Sequence, residues 1–271
     1  MHCRLIIDPP AAGAWNMAVD EALLLAAAEE DIATFRFYEW IEPTLSLGYF
    51  QRYEDRQGHA ASRQCVAVRR QSGGGAILHD RELTYCLALP CEHPWARDTQ
   101  KLYATVHQSI VRQLKRCLVG NGIESALSIF CPVLPKNISK SRQSAGEPFL
   151  CFQRRAPGDV VITPQPPSKN ADRTAEVWKI VGSAQRRHRG AVLQHGSILL
   201  ARSPAAPELP GYFDLTGTTI TGSTLASALL TEVGEILGLP LKTQGLPASV
   251  SQAAREIARD KYGSDSWTRR R

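Results

Sequence analysis

The chain reads as an α+β fold, a mixed sheet flanked by helices. Three observations carry that reading. Strand-like and helix-like segments follow one another without the regular β–α–β alternation of a doubly wound sheet. Three long segments carry apolar stripes at helical spacing, while the strands are short and β-branched or aromatic. With 271 residues and 43% hydrophobic content, the chain has ample material for a core.

The elements follow in order. Residues 3–7 read as a strand. Residues 16–28 read as a helix, with Asn16 as its cap and Val19, Leu23 and Ala26 at helical spacing. Residues 34–38 alternate like a strand, with Phe35 and Phe37 on one face, and 44–49 form a second strand after the break at Pro43. Residues 66–69, 76–78 and 83–89 read as strands around a glycine run. Residues 102–118 form an amphipathic helix in which Val106, Ile110, Leu114 and Leu118 recur every four residues. Residues 132–148 and 163–177, rich in Pro, Ser, Lys and Asn, read as long loops. Strands are expected at 159–163, 179–184 and 191–200. A helix is expected at 224–237, with Leu225, Leu229, Val233 and Leu237 on one stripe. A last helix, 249–262, opens on a capping box of Ser249 and Gln252. The tail 267–271 is expected to be exposed.

Composition excludes several classes. No run of eighteen apolar residues exists, so no membrane span is expected. The N-terminus is interrupted too early by Asp8-Pro9-Pro10 for a signal peptide, which makes the cytoplasm the expected location. Seven scattered cysteines without CxxC spacing argue against a disulfide framework and against a metal site. The net charge of +6 suits an acidic partner. No zinc finger or RNP-type aromatic motif points to nucleic acid.

The most informative stretch is Arg69-Arg70-Gln71-Ser72-Gly73-Gly74-Gly75-Ala76, continuing through His79-Asp80 to Tyr85. Glycine runs are entropically costly and sit where a ligand or another backbone approaches closely. Adjacent arginines suit a negative or strongly polar ligand. The stretch lacks the Gly-Lys-Ser/Thr ending of a phosphate loop and the spaced glycines of a dinucleotide fingerprint. A glycine-rich hairpin turn between two strands is the plainer alternative.

Five motifs then converge. They are Trp15–Ala22, Arg36-Phe37-Tyr38 with Pro43–Gln51, Arg69–Tyr85, Lys179–Gln185 and Leu193–Leu200. In this order they resemble the lipoate–protein ligase and octanoyltransferase family. That resemblance implies the catalytic-domain fold shared with biotin–protein ligases, a mainly antiparallel sheet flanked by helices. It implies a single domain over residues 1–271 without a separate C-terminal accessory domain. It also implies attachment of an octanoyl or lipoyl group to a lysine of lipoyl-domain proteins or the glycine-cleavage H protein.

The resemblance further assigns residues. Cys151, in Phe149-Leu150-Cys151-Phe152, matches the cysteine that carries the acyl group in octanoyltransferases of this family, and Lys179 its motif lysine. A thiol reacts as thiolate and needs a positive neighbour, which Lys179 supplies if the two lie close. After the thioester forms, Lys179 accepts the proton of the incoming lysine. Arg69, Arg70, Ser72, Gly73, Gly74, Gly75, Ala76, His79, Gly182, Ser183 and Ala184 are expected to bind substrate. The two arginines either meet phosphate or pair with an acid such as Asp80. His79 orders the loop or lines the pocket, and His195 is structural. Acyl carrier protein is the expected donor and no cofactor is required. The alternative is an ATP- and Mg-dependent ligase working through an acyl-adenylate, which the Ser-Gly-Gly-Gly form of the loop resembles. A catalytically silent binder is the third reading. The extra polar segment between Cys151 and Lys179 lengthens the usual spacing between them.

Overall fold

A computed structural model describes residues 2–119, 127–131, 147–164 and 177–271. The order is β1 (Cys3–Ile7), α1 (Gly13–Glu29), β2 (Ala33–Tyr38), β3 (Thr44–Leu47), β4 (Val66–Arg69), β5 (Ile77–His79), β6 (Glu82–Leu89), α2 (Pro94–Arg97), α3 (Thr99–Val119), β7 (Leu127–Phe130), β8 (Val160–Pro164), β9 (Trp178–His188), β10 (Ala191–Leu199), α4 (Tyr212–Thr216), α5 (Gly222–Leu237), β11 (Leu241–Thr243), α6 (Ala248–Ile257) and α7 (Asp265–Thr268). Eight strands form one sheet in the order β11-β1-β2-β6-β10-β9-β8-β7, and β4-β3-β5 form a second, small sheet. The large sheet is antiparallel from β2 to β7, and parallel only where β1 meets β2 and β11. The structure therefore has the expected α+β fold with a mixed, mainly antiparallel sheet.

The apolar stripes bury as their spacing dictates. Leu102, Val106, Ile110, Leu114 and Leu118 of α3 and Leu225, Leu229, Val233 and Leu237 of α5 pack on one face of the large sheet. On the other face lies α1, alanine- and leucine-rich and so a strong helix former, with Val250 and Ala254 of α6 and Tyr262 in the same core. The nine residues of β10 are buried throughout, as a central strand requires. It returns from β9 through Arg189-Gly190, both at positive φ (46° and 86°), the hairpin geometry that matches strand twist.

Four local expectations change. Helix α1 begins at Gly13, and Asn16 is buried inside it rather than capping it. Its Nδ2 donates to the carbonyls of Ala11 and Glu39, and its Oδ1 accepts from Arg36 at 2.9 Å. Helix α6 starts after Pro247 without a side-chain cap, so Ser249 sits within the helix. The tail is docked: Trp267 donates to the Arg69 carbonyl at 2.7 Å, and Arg69 Nη2 donates to the Thr268 carbonyl at 2.9 Å. The glycine run is not a hairpin turn, because β4 and β5 lie on opposite sides of β3. The two expected loops fall almost entirely outside the described residues. Among the described residues, no helix is long and apolar enough to cross a membrane.

Candidate active site

A cavity of about 260 Å³ opens between the large sheet and the small one. Its walls come from Met17 of α1, Tyr38 of β2, Thr84 of β6, Gly182 to Gln185 of β9 and His195 to Ser197 of β10. Gly73, Gly74, Ile77 and His79 close it from the small-sheet side, with Arg70, Cys151 and Phe152. Of the residues expected at a site, Cys151, Arg70, Gly73, Gly74, His79, Gly182, Ser183 and Ala184 thus line one space. Ala76 is buried behind Cys151. Arg69, Ser72 and Gly75 support the loop.

Cys151 opens a single 3₁₀ turn, Cys151–Gln153, rather than standing on a strand. The turn is fastened to the glycine loop: Cys151 N donates to the Ala76 carbonyl at 2.7 Å, and Ala76 N donates to the Phe149 carbonyl at 3.0 Å. Gly74, at φ 95°, passes beside the thiol, and a Cβ there would lie 3.8 Å from Cys151 Sγ and 3.2 Å from Arg70 Nη2. That backbone conformation favours glycine.

Lys179 sits near the start of β9 with its Nζ 4.0 Å from Cys151 Sγ and 2.9 Å from Asp159 Oδ2. Its side chain is 4% exposed and that of Asp159 is 1% exposed, so the ion pair is shielded from solvent. The ammonium also lies 5.3 Å from the centre of the Phe152 ring. Room for it exists because residue 182 is glycine: a Cβ there would stand 2.5 Å from Lys179 Cε. The polar segment between Cys151 and Lys179 therefore does not keep the two apart.

Asp159 is the residue sequence reasoning left without a role. Its Oδ2 also accepts from Ala156 N at 2.6 Å, and its Oδ1 accepts from Tyr103 Oη at 2.8 Å. The usable signal is its place after Gly158 at the head of β8. His107 was missed as well. Its Nδ1–H donates to the Gly158 carbonyl at 2.6 Å, so its Nε2 accepts from Ser183 Oγ at 2.7 Å. Burial pushes this imidazole down to about 4, keeping it neutral at physiological pH. Ser183 is held in turn by Tyr85 at 2.6 Å.

The arginines of the loop turn inward. Arg70 donates to the carbonyls of Ser46, Gly73 and Gly75 at 2.8, 2.8 and 2.6 Å. Burial lowers its guanidinium to about 10. Arg69 donates to the carbonyls of Gly48, Gln51 and Thr268. Neither pairs with Asp80. Both shape the loop through these bonds; Arg70 also lines the cavity, and its buried Nε has no hydrogen-bond partner among the described residues.

Two histidines lock the walls. His195 Nδ1 meets Asp20 Oδ2 at 3.1 Å, and its Nε2 meets Ser72 Oγ at 2.6 Å. This ties the start of the glycine loop to α1. Burial by itself would raise the Asp20 carboxyl, but hydrogen bonds from His195 and Tyr38 and the charge of Arg36 outweigh it and hold the group below the usual carboxylate range. His79 stacks on Trp40 at 3.9 Å, while its ring nitrogens meet Glu82 and Ser46, each at 2.7 Å.

Residues 12–206 match the family described as the lipoyl protein ligase A/B catalytic domain. An octanoyltransferase LipM of Kyrpidia tusciae is 31% identical, covering 99% of this chain and 98% of that protein. Octanoyltransferase LipM of Geobacillus kaustophilus is 32% identical over 97% and 95% of the two chains. Among solved structures, a lipoate protein ligase from T. acidophilum with bound lipoic acid aligns with a TM-score of 0.70 at 19% identity, covering all of both chains. Lipoate-protein ligase A bound with ATP aligns with a TM-score of 0.66 at 18% identity over 99% of each. These structural likenesses establish the shared fold. The family match spans most of the sequence and includes the glycine loop, Cys151 and Lys179, so the chain belongs to the lipoyl protein ligase A/B catalytic domain family.

Proposed function

We propose that this acyltransferase moves an octanoyl group from acyl carrier protein to Cys151, and from there to a specific lysine of the glycine-cleavage H protein or of the lipoyl domains of 2-oxoacid dehydrogenases. The observation that carries this reading is the Lys179 ammonium set between a buried carboxylate and the Cys151 sulfur, 2.9 and 4.0 Å away. A nucleophilic thiolate needs such a positive neighbour. The relatives named octanoyltransferase LipM support the acyl group chosen.

In the first half-reaction the Cys151 thiolate attacks the donor carbonyl. A new carbon–sulfur bond forms, the donor's breaks, and the departing carrier thiolate takes a proton from Lys179. The acceptor lysine then arrives as an ammonium and returns one proton to Lys179. Its neutral amine attacks the thioester, Cys151 leaves as thiolate, and the second nitrogen proton goes to solvent. Asp159 keeps the Lys179 nitrogen in place through both halves, and the balance needs no cofactor. His107 and Tyr85 orient Ser183 at the cavity wall. Missing side chains at Gly73 and Gly74 leave room for the acyl chain and its carbonyl.

An ATP-dependent ligase would need groups for a triphosphate and Mg. Arg69 and Arg70, the loop's cations, already donate to main-chain carbonyls, which supports transfer over adenylation. With its H protein or lipoyl-domain acceptor such an enzyme works in the cytoplasm. The test is incubation with octanoyl-acyl carrier protein followed by mass spectrometry. A hydroxylamine-labile octanoyl adduct, absent from Cys151→Ala, is the expected result. Acceptor octanoylation that requires ATP and survives Cys151→Ala overturns the reading.

A further inference from the structure

Beside the cavity the surface carries a compact group of cations on two aromatic rings. Arg270 lies 3.8 Å and Arg186 5.9 Å from the centre of the Tyr49 ring, and Arg271 lies 5.4 Å from that of Phe50. Phe50 is 69% exposed, a large apolar ring presented to solvent. Neighbouring cations are matched: Lys261 with Glu21 at 2.6 Å, Arg269 with Asp265 at 3.3 Å, and Arg189 with Glu29 at 3.9 Å. Among the described residues, Arg186, Arg270 and Arg271 have no carboxylate partner. Their field is felt nearby. A hydrogen bond and the charge of Arg270, with help from Arg186 and Arg271, lower the Tyr49 phenol. Burial first, and then Arg270 and Arg271, lower the Arg69 guanidinium.

The group abuts the rim of the cavity. Tyr49 N donates to the Ser72 carbonyl at 2.9 Å. The Phe50 ring stands 3.9 Å from where a Cβ on Gly73 would be, and Gly73 lines the cavity. Arg186 follows Gln185, another lining residue. A protein seated on this face would deliver a flexible arm to the Cys151 side with its body outside.

We infer that Tyr49, Phe50, Arg186, Arg270 and Arg271 form the docking surface for an acidic acyl-carrier domain. This rests on the reading that the acyl donor is carrier-bound. The chemistry selects the donor over the acceptor. A carrier's thiol arm is joined through a phosphodiester, and guanidinium forks match phosphate and carboxylate oxygens alike. A lysine acceptor brings no phosphate. An exposed aromatic ring among cations suits a partner with apolar residues set among acids, and the unmatched charge speeds encounter with it.

The test is a triple variant, Arg186→Glu, Arg270→Glu and Arg271→Glu, with Phe50→Ser as a separate probe. Binding of the carrier protein is measured directly at low salt. Acylation of Cys151 is measured with octanoyl-carrier and with octanoyl-N-acetylcysteamine, a neutral donor without protein. The triple variant is expected to bind the carrier at least ~10-fold more weakly, with a flatter salt dependence, and Phe50→Ser several-fold more weakly. Acylation from the small donor stays within twofold of the parent, which also reports that the variant is folded. Carrier binding unchanged within twofold overturns the inference. So does an equal loss with both donors, or a loss confined to the acceptor domain. The binding arm reads the surface even if the parent protein transfers no acyl group, so failure of the proposed reaction remains distinguishable.

Discussion

Replacing Asp159 with Asn tests the pairing on which the site depends. The change keeps an oxygen for Tyr103 Oη and removes the negative charge 2.9 Å from Lys179 Nζ. Both partners are almost wholly buried. Breaking such a pair by removing one member leaves an unmatched buried charge and costs about 3–5 kcal/mol. Asp159→Asn is therefore expected to lose about that much stability. Chemistry suffers separately. Two unit charges 4.0 Å apart, the Lys179–Cys151 separation, interact by about 4 kcal/mol at an effective dielectric of about 20. An ammonium that leaves its position forfeits much of this, so acylation of Cys151 slows by about 10²–10³-fold. Denaturant unfolding measures the first effect and rapid-quench acylation the second. A Lys179→Met/Asp159→Asn double variant supplies the control, since with both charges gone no buried charge of the pair is left unmatched. Its stability loss should fall well short of the sum of the single losses. Additive losses, or an Asp159→Asn protein within about 1 kcal/mol of the parent that acylates at the parental rate, refute the reasoning.

Protonation of His107 is disfavoured in the fold, at about 4 against 6.5 for a free imidazole. Its depressed value makes its contribution fully present above pH 6.5 and lost as pH falls toward 4. Between pH 7 and 4.5 the loss is about 2 kcal/mol, and chemical denaturation should find it missing in His107→Gln. Gly74→Ala forces a side chain into φ 95°, costing about 1–3 kcal/mol. Because that Cβ faces Cys151 Sγ, acylation should fall further than thermal stability, and equal tolerance of both would contradict the geometry. His195→Asn shortens the link between Asp20 and Ser72 and leaves buried partners unmet, a loss of about 1–3 kcal/mol. With the loop loosened, KM for the acyl donor should rise more than kcat falls, as steady-state kinetics can check.

Local signals predict local structure, and the differences between expectation and structure arise where distant contacts intervene. The stripes of α3 and α5 were legible because every fourth residue meets one sheet face. Strand β11 was not, since three residues carry no period and its place is set by β1. Asn16 has the chemistry of a cap, yet Arg36 and the Glu39 carbonyl draw it inside the helix. The same logic governs the site. The glycine loop and Cys151 are readable as motifs, and their union through Ala76 is a pairing between segments far apart in sequence. The loop arginines look like anion ligands from their neighbours in sequence. Only the arrival of the docked tail and of the strand β3 carbonyls turns their donors inward. Asp159 shows the converse: an ordinary aspartate by sequence, it becomes the counter-charge of Lys179 at the point where β8 meets β9, just before a bulge between Val160 and Val161 shifts their register. The chemistry of this fold lies in such crossings, where a residue's role is assigned by the strand beside it.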